Sequence, residues 1–178
     1  MLALVLGAGP VAATASAAAP VPAEELAQPR LAGQARFSFW GFDIYEARLW
    51  VEPGFSAAAL GGQRYALELT YQRSFKGRAI AERSIDEMRR IGSFSEAQAQ
   101  AWLQAMAAAF PDVAAGDRLT GIHLPGQGAR FLANGRLRAE IADPEFARLF
   151  FGIWLSERTA EPRQRQALLG LATTTAAN

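Results

Sequence analysis

Few side chains in this sequence can do chemistry, and Arg36 and Tyr45 are two of them. Arginine supplies a bidentate fork and tyrosine a rigid donor, so together they would clamp a carboxylate at the mouth of an apolar cleft. The plainer reading is a surface arginine at a strand end and a core-edge tyrosine with its hydroxyl in water. His123 is the only histidine. With no carboxylate near it in sequence, it reads as a satisfied or solvated side chain rather than a base. There are no cysteines, which excludes disulfides, thiolate catalysis and cysteine zinc sites. A lone histidine also removes any multi-histidine metal site, and no metal or redox cofactor is implied.

The other polar candidates read as structural. Arg48 falls on the strand face opposite Tyr45 and is expected to pair with Glu46 or Glu68. Tyr65 and Tyr71 share a face with Leu67 and Leu69 and read as sheet packing. The run from Arg78 to Arg90 reads as the solvated side of a helix, where adjacent Asp86 and Glu87 point apart and cannot act as a carboxylate pair. Gly126-Gln127-Gly128 is too short for a phosphate loop and lies between strands.

The elements that would position these groups follow from periodicity. Arg36 to Val51 is aromatic and β-branched, and its apolar parity changes near Gly41, which predicts a bulge or turn between two strand segments. Arg64 to Arg73 alternates as a half-buried antiparallel strand. The period then changes: Ala79, Ile80, Ile85 and Met88 fit a helix ending near Gly92. Ser95 and Gln98 make a capping box for a second helix, Glu96 to about Ala109. Leu119–Leu124, Arg130–Ala133 and Arg136–Ile141 form a three-stranded meander, turned by Pro125–Gly128 and by Asn134-Gly135, a type I′ signal. Asp143-Pro144 caps a helix over Glu145–Leu155, with Phe146, Leu149, Phe150, Ile153 and Trp154 as its apolar stripe. A last short helix spans Arg163–Leu169. The order predicts an α+β fold, an antiparallel sheet with helices gathered on one face.

With 178 residues the chain is long enough for one domain with a real core. A formal net charge of +1 calls for no nucleic-acid partner. Residues 1–19 resemble a secretory signal peptide cut after Ala17 or Ala19, which predicts a periplasmic or secreted protein. Their apolar part is too short for a transmembrane span of roughly 20 residues. Residues 20–30 are expected to be an unstructured lead-in, 31–170 the domain, and 171–178 a frayed tail.

Several motifs taken in order carry a family resemblance. Gly116-Asp-Arg-Leu-Thr, Leu124-Pro-Gly-Gln-Gly, Asn134-Gly, Ile141-Ala-Asp-Pro-Glu-Phe, Gly152-Ile-Trp-Leu and Ala167-Leu-Leu-Gly resemble the C-terminal half of chalcone isomerase-like proteins. Ile44-Tyr-Glu-Ala-Arg-Leu-Trp-Val resembles the strand that carries a ligand-facing hydroxyl in that family. The resemblance implies an open-faced β-sandwich, with a long antiparallel sheet, a helical layer over one face and a ligand cleft between them. The family includes isomerases, fatty-acid-binding relatives and exported bacterial members. The isomerases use a strand threonine, which falls on Tyr45, and a helix tyrosine, which falls on Ile80. Their neighbouring lysine and asparagine fall on Arg83 and Glu87, and a cleft arginine matches Arg36. Isoleucine cannot donate the hydrogen bond that a carbonyl needs as it gains charge, which disfavours isomerisation.

The expected function is therefore non-catalytic binding of an apolar small molecule such as a fatty acid. Arg36 and Tyr45 would hold its polar head. Two alternatives remain open at this stage. One is an isomerase or lyase on another substrate, with Tyr45 as the acid. The other is a structural or partner-binding envelope protein.

Overall fold

The computed structural model of the chain describes residues 24–171. The ten principal elements are β1 Arg30–Phe39, β2 Phe42–Val51, β3 Tyr65–Tyr71, α1 Gly77–Ile91, α2 Glu96–Ala109, β4 Arg118–Leu124, β5 Gly128–Ala133, β6 Arg136–Ile141, α3 Pro144–Leu155 and α4 Pro162–Leu168. The six strands form one sheet in the order β1-β2-β3-β4-β5-β6, and every neighbouring pair is antiparallel. This is the α+β arrangement expected from the element order, with the helices over one face, and it agrees with the sandwich that the family resemblance implies.

Local chemistry explains where the elements begin and turn. Asn134 and Gly135 take positive φ, 47° and 81°, which is the type I′ pattern that Asn-Gly favours. Asp143 caps α3 by accepting from the amides of Glu145 and Phe146 at 2.9 and 3.1 Å. Its second oxygen accepts from Trp102 Nε1 at 2.9 Å, so the cap also ties α2 to the start of α3. Ser95 and Gln98 complete the capping box of α2. Near Gly41 the parity change resolves into two features: a turn at Trp40-Gly41, and a bulge on β2 where Phe37 pairs with Tyr45 but Ser38 with Asp43.

Alternation sorts the sheet into two faces. Ala47, Leu49, Val51, Leu67, Leu69, Leu119 and Phe131 point to the helices and form the main core with Met88, Trp102, Met106, Phe146, Leu149 and Leu155. Ala66, Ile122, Leu124 and Leu132 point the other way and are also buried. That second apolar patch needs a cover, and Leu26 provides part of it at 4% exposure. Glu25 anchors the same segment through Arg130 Nη1 at 2.8 Å. The unstructured lead-in expected over residues 20–30 is thus corrected at Glu25 and Leu26, which pack on the outer face, and at Arg30, which already belongs to β1. Residues 1–19, expected to be a signal peptide, and residues 172–178 of the tail lie outside the described residues.

Helix α4 lies against β1 at Gly33, which comes very close to the backbone of that helix. A Cβ on Gly33 would collide with the Ala167 carbonyl oxygen and sit 2.7 Å from that of Leu168. Gly33→Ala should therefore destabilise the fold by about 1–3 kcal/mol. At Gly61 an added Cβ meets nothing within 4 Å, so Gly61→Ala should stay within roughly 0.5 kcal/mol of the parent. Urea unfolding of the two variants checks the contrast, and equal midpoints would refute the close-approach argument.

Candidate ligand-binding cleft

The core is open at one end. A cavity of about 460 Å³ lies between the sheet and the helices. Its sheet wall includes Phe37, Phe39, Ile44, Tyr45, Leu67, Leu69, Tyr71 and Phe131, and its helix wall Ala79, Ile80, Phe150, Ile153 and Trp154. Strict alternation would send Ile44 and Tyr45 to opposite faces. The bulge lets both line the cavity, because the extra residue on β2 resets the parity.

Hydroxyl groups in this wall are few, and most are already engaged. Ser84 Oγ donates to the Ile80 carbonyl at 2.8 Å, Thr159 Oγ1 to the Ile153 carbonyl at 2.7 Å, and Ser38 Oγ to Asp43 at 2.7 Å. Tyr45 differs: its oxygen accepts from Trp154 Nε1 at 3.0 Å. Among the described residues its own proton meets no acceptor, and neither does that of Tyr71, whose ring lies edge-on to Tyr45 at 5.7 Å. Burial pushes both phenols well above the ordinary tyrosine range. At neutral pH they are hydrogen-bond donors and not phenolates. A donor that itself accepts from an indole N–H is polarised toward donating, so the Trp154–Tyr45 pair presents a directed proton in an apolar wall.

The two expected anchors part company. Tyr45 lines the cleft. Arg36 neighbours Phe37 on β1 and so points to the other face; its guanidinium pairs with Asp43 at 3.4 Å and its side chain is 65% exposed. The proposed Arg36–Tyr45 clamp is therefore not assembled, because one residue of alternation separates its two halves.

The cationic group that does line the cleft is Arg83, paired with Glu87, which also pairs with Arg90 at 3.4 Å. The reading of Arg78–Arg90 as a wholly solvated face needs correcting at these two positions. They lie on the edge of α1 that turns toward the cavity, one and two turns beyond Ile80. Arg48 pairs with Glu46 at 2.6 Å, as expected of a structural charge. Tyr71 joins the cleft wall, whereas Tyr65 stacks on His123. Trp154 was legible only as part of a core stripe. Its signal was the indole N–H, which needs a partner when buried.

Family and structural comparisons agree with this architecture. The family described as chalcone isomerase-like matches residues 19–170, and the chain belongs to that family. An uncharacterised protein of Haemophilus influenzae is 28% identical over 138 residues, 78% of this chain and 66% of that protein, so the chain spans a little under two thirds of its relative. A crystal structure of an Arabidopsis thaliana fatty-acid binding protein shares the fold, with a TM-score of 0.61 and 12% identity, covering 80% of this chain and 87% of the other.

His123 lies in the core beside the cleft without lining it. Its Nδ1 makes a 2.7 Å hydrogen bond to the Gln63 carbonyl, which requires the proton on that nitrogen. Burial lowers its pKa below the ordinary 6.5, and the carbonyl bond opposes this only in part. Below that pH the unfolded chain takes up the proton more readily than the folded one, so stability should be complete above about 6.5 and fall as the pH drops through that value. Because the chain has one histidine, His123→Gln should flatten the slope of unfolding free energy between mildly acidic and neutral pH. An unchanged slope would contradict the assignment.

Proposed function

We propose that this protein binds an apolar small molecule with one acceptor-bearing end, a fatty acid or a similar amphiphile, and does not turn it over. The observation that carries this reading is the wall of the cleft: apolar rings and aliphatic groups, with a polarised Tyr45 hydroxyl as its directed donor. A volume of about 460 Å³ suits a small-molecule site. The fold shared with a fatty-acid binding protein supports the same ligand class. Catalysis is disfavoured by Ile80, which stands in the cleft where the isomerases carry a tyrosine. Without that donor, charge developing on a carbonyl opposite Tyr45 lacks a second stabilising partner from α1. The polar end of the ligand would accept from Tyr45, with Tyr71 as neighbour and Arg83 at the rim.

Two variants test the site. Tyr45→Phe removes the donor and leaves the Trp154 indole without its acceptor. It should weaken binding of palmitate about tenfold, the equivalent of one charge-assisted hydrogen bond. Ala79→Trp fills the mouth of the cavity from an exposed helix position and should abolish binding without unfolding the protein. Displacement of a fluorescent fatty acid by palmitate measures both. Palmitate affinity unaffected by Ala79→Trp would remove the ligand from this cleft, and turnover of an enone substrate above buffer would overturn the non-catalytic reading.

Export through residues 1–19 belongs to the same proposal. It is supported by the apolar stretch followed by small residues. The intact mass of protein recovered from the periplasm should begin after Ala17 or Ala19, and an uncleaved cytosolic product would reject it.

A further inference from the structure

The two tight hairpin turns of the sheet differ in a way that the fold does not explain. Asn134-Gly135 uses the residues that a turn with two positive φ angles favours. Trp40-Gly41 adopts the same kind of turn, with φ of 51° and 77°, but places a tryptophan in the left-handed region. That conformation is uncommon for a bulky residue and carries strain. Nothing is gained by burial, since Trp40 is 84% exposed. Its neighbours Phe39 and Phe42 are 63% and 57% exposed, so the tip presents three aromatic rings to solvent. A residue choice that costs the fold and buries nothing is expected at a working surface.

We propose that the β1–β2 hairpin tip inserts into the interface of an anionic phospholipid bilayer. Three observations favour a bilayer over a protein partner. First, the exposed aromatic surface is on the order of 300–500 Å², taking 150–250 Å² per ring, below the roughly 800 Å² per partner of a stable protein interface. A bilayer needs no matching surface, and tryptophan prefers the depth of lipid headgroups. Second, arginines flank the rings. The Arg73 guanidinium lies 4.5 Å above the Phe42 ring and Arg36 pairs with Asp43, while Glu46, opposite Arg36, is held by Arg48. Two arginines and one aspartate leave a local excess of positive charge, suited to anionic headgroups. Third, Phe39 belongs both to the tip and to the wall of the cleft. The inserted surface is thereby continuous with the cavity mouth, and an amphiphile could pass between bilayer and cleft without crossing water. No helix among the described residues is long and apolar enough to cross a membrane, so the contact is peripheral.

The test uses vesicles of phosphatidylcholine with and without phosphatidylglycerol. The full chain should co-sediment with the mixed vesicles, less so at high salt, and its tryptophan emission should shift to the blue. Trp40→Asn with Phe42→Ser should lower vesicle affinity at least tenfold and remove the blue shift. Because asparagine relieves the positive φ, the unfolding midpoint of this variant should stay level or rise, which separates lost binding from lost folding. Ala79→Trp should still bind vesicles, so failure of the cleft reading and failure of the membrane reading are distinguishable. Absence of vesicle binding, equal binding to pure phosphatidylcholine, or an unchanged affinity in the double variant overturns the proposal. So does concentration-dependent dimerisation that the double variant abolishes, which would assign the tip to a second copy of the chain.

Discussion

Phe150 of α3 packs against five other aromatic side chains, those of Phe110, Phe131, Phe146, Phe151 and Trp154, at ring separations of 5.1–6.2 Å. This cluster joins α3 to β5 and to the end of α2, and most of the core is arranged around it. The main apolar face of the sheet must be covered, and α3 covers it over β4 and β5. Toward β1 only α4 closes on the strands, at Gly33, while α1 stands off from the sheet. The cavity is what remains between them, so the same aromatic packing that stabilises the domain also sets the back wall of its cleft.

The polar character of that cleft depends on a bridge between the two layers. Trp154, at the far end of the α3 stripe, reaches across to the Tyr45 hydroxyl on β2. The bridge satisfies a buried indole, which would otherwise cost about 1–3 kcal/mol. It also fixes the direction in which the tyrosine can donate. Ser84 and Thr159 give their hydroxyl protons to backbone carbonyls and Ser38 to a carboxylate, whereas the Tyr71 hydroxyl meets no acceptor among the described residues. An economy of this kind suits a site that holds a ligand in one orientation. Ile80 on α1 adds only an aliphatic side chain to the same wall.

Strain is distributed unevenly over the sheet. At the β5–β6 turn the residues match the backbone. At the β1–β2 turn they do not, and the bulge at Ile44 follows within three residues. Both irregularities fall at the open end, on the edge hairpin that carries part of the cleft wall. Regular pairing continues through β3 and β4, where the core is densest. The hairpin departs from regular pairing beside its tip and again at Ala32, and it is regular from Gly33 to Phe37.

Much of this architecture was legible in order along the chain. The strand at Arg64–Arg73, the capping box at Ser95, the Asn134-Gly135 turn and the Asp143-Pro144 helix start all depend on neighbours within a few residues, and alternation alone sorted Arg48 from Tyr45. Motif order carried the family resemblance and matched Ile80, Arg83 and Glu87 to isomerase positions, although the charged run from Arg78 to Arg90 by itself read as a solvated face. What sequence could not decide was which distant groups meet. The Tyr45–Trp154 bond joins residues 109 apart in the chain, and no local pattern encodes it. The parity of Arg36 relative to Tyr45 depended on strand register across a turn and a bulge, where an offset of one residue exchanges the faces. Cover of the outer sheet face by Leu26 likewise required knowing that a second apolar face existed. Local chemistry determined the elements, while register and long-range packing selected the side chains that share the cleft.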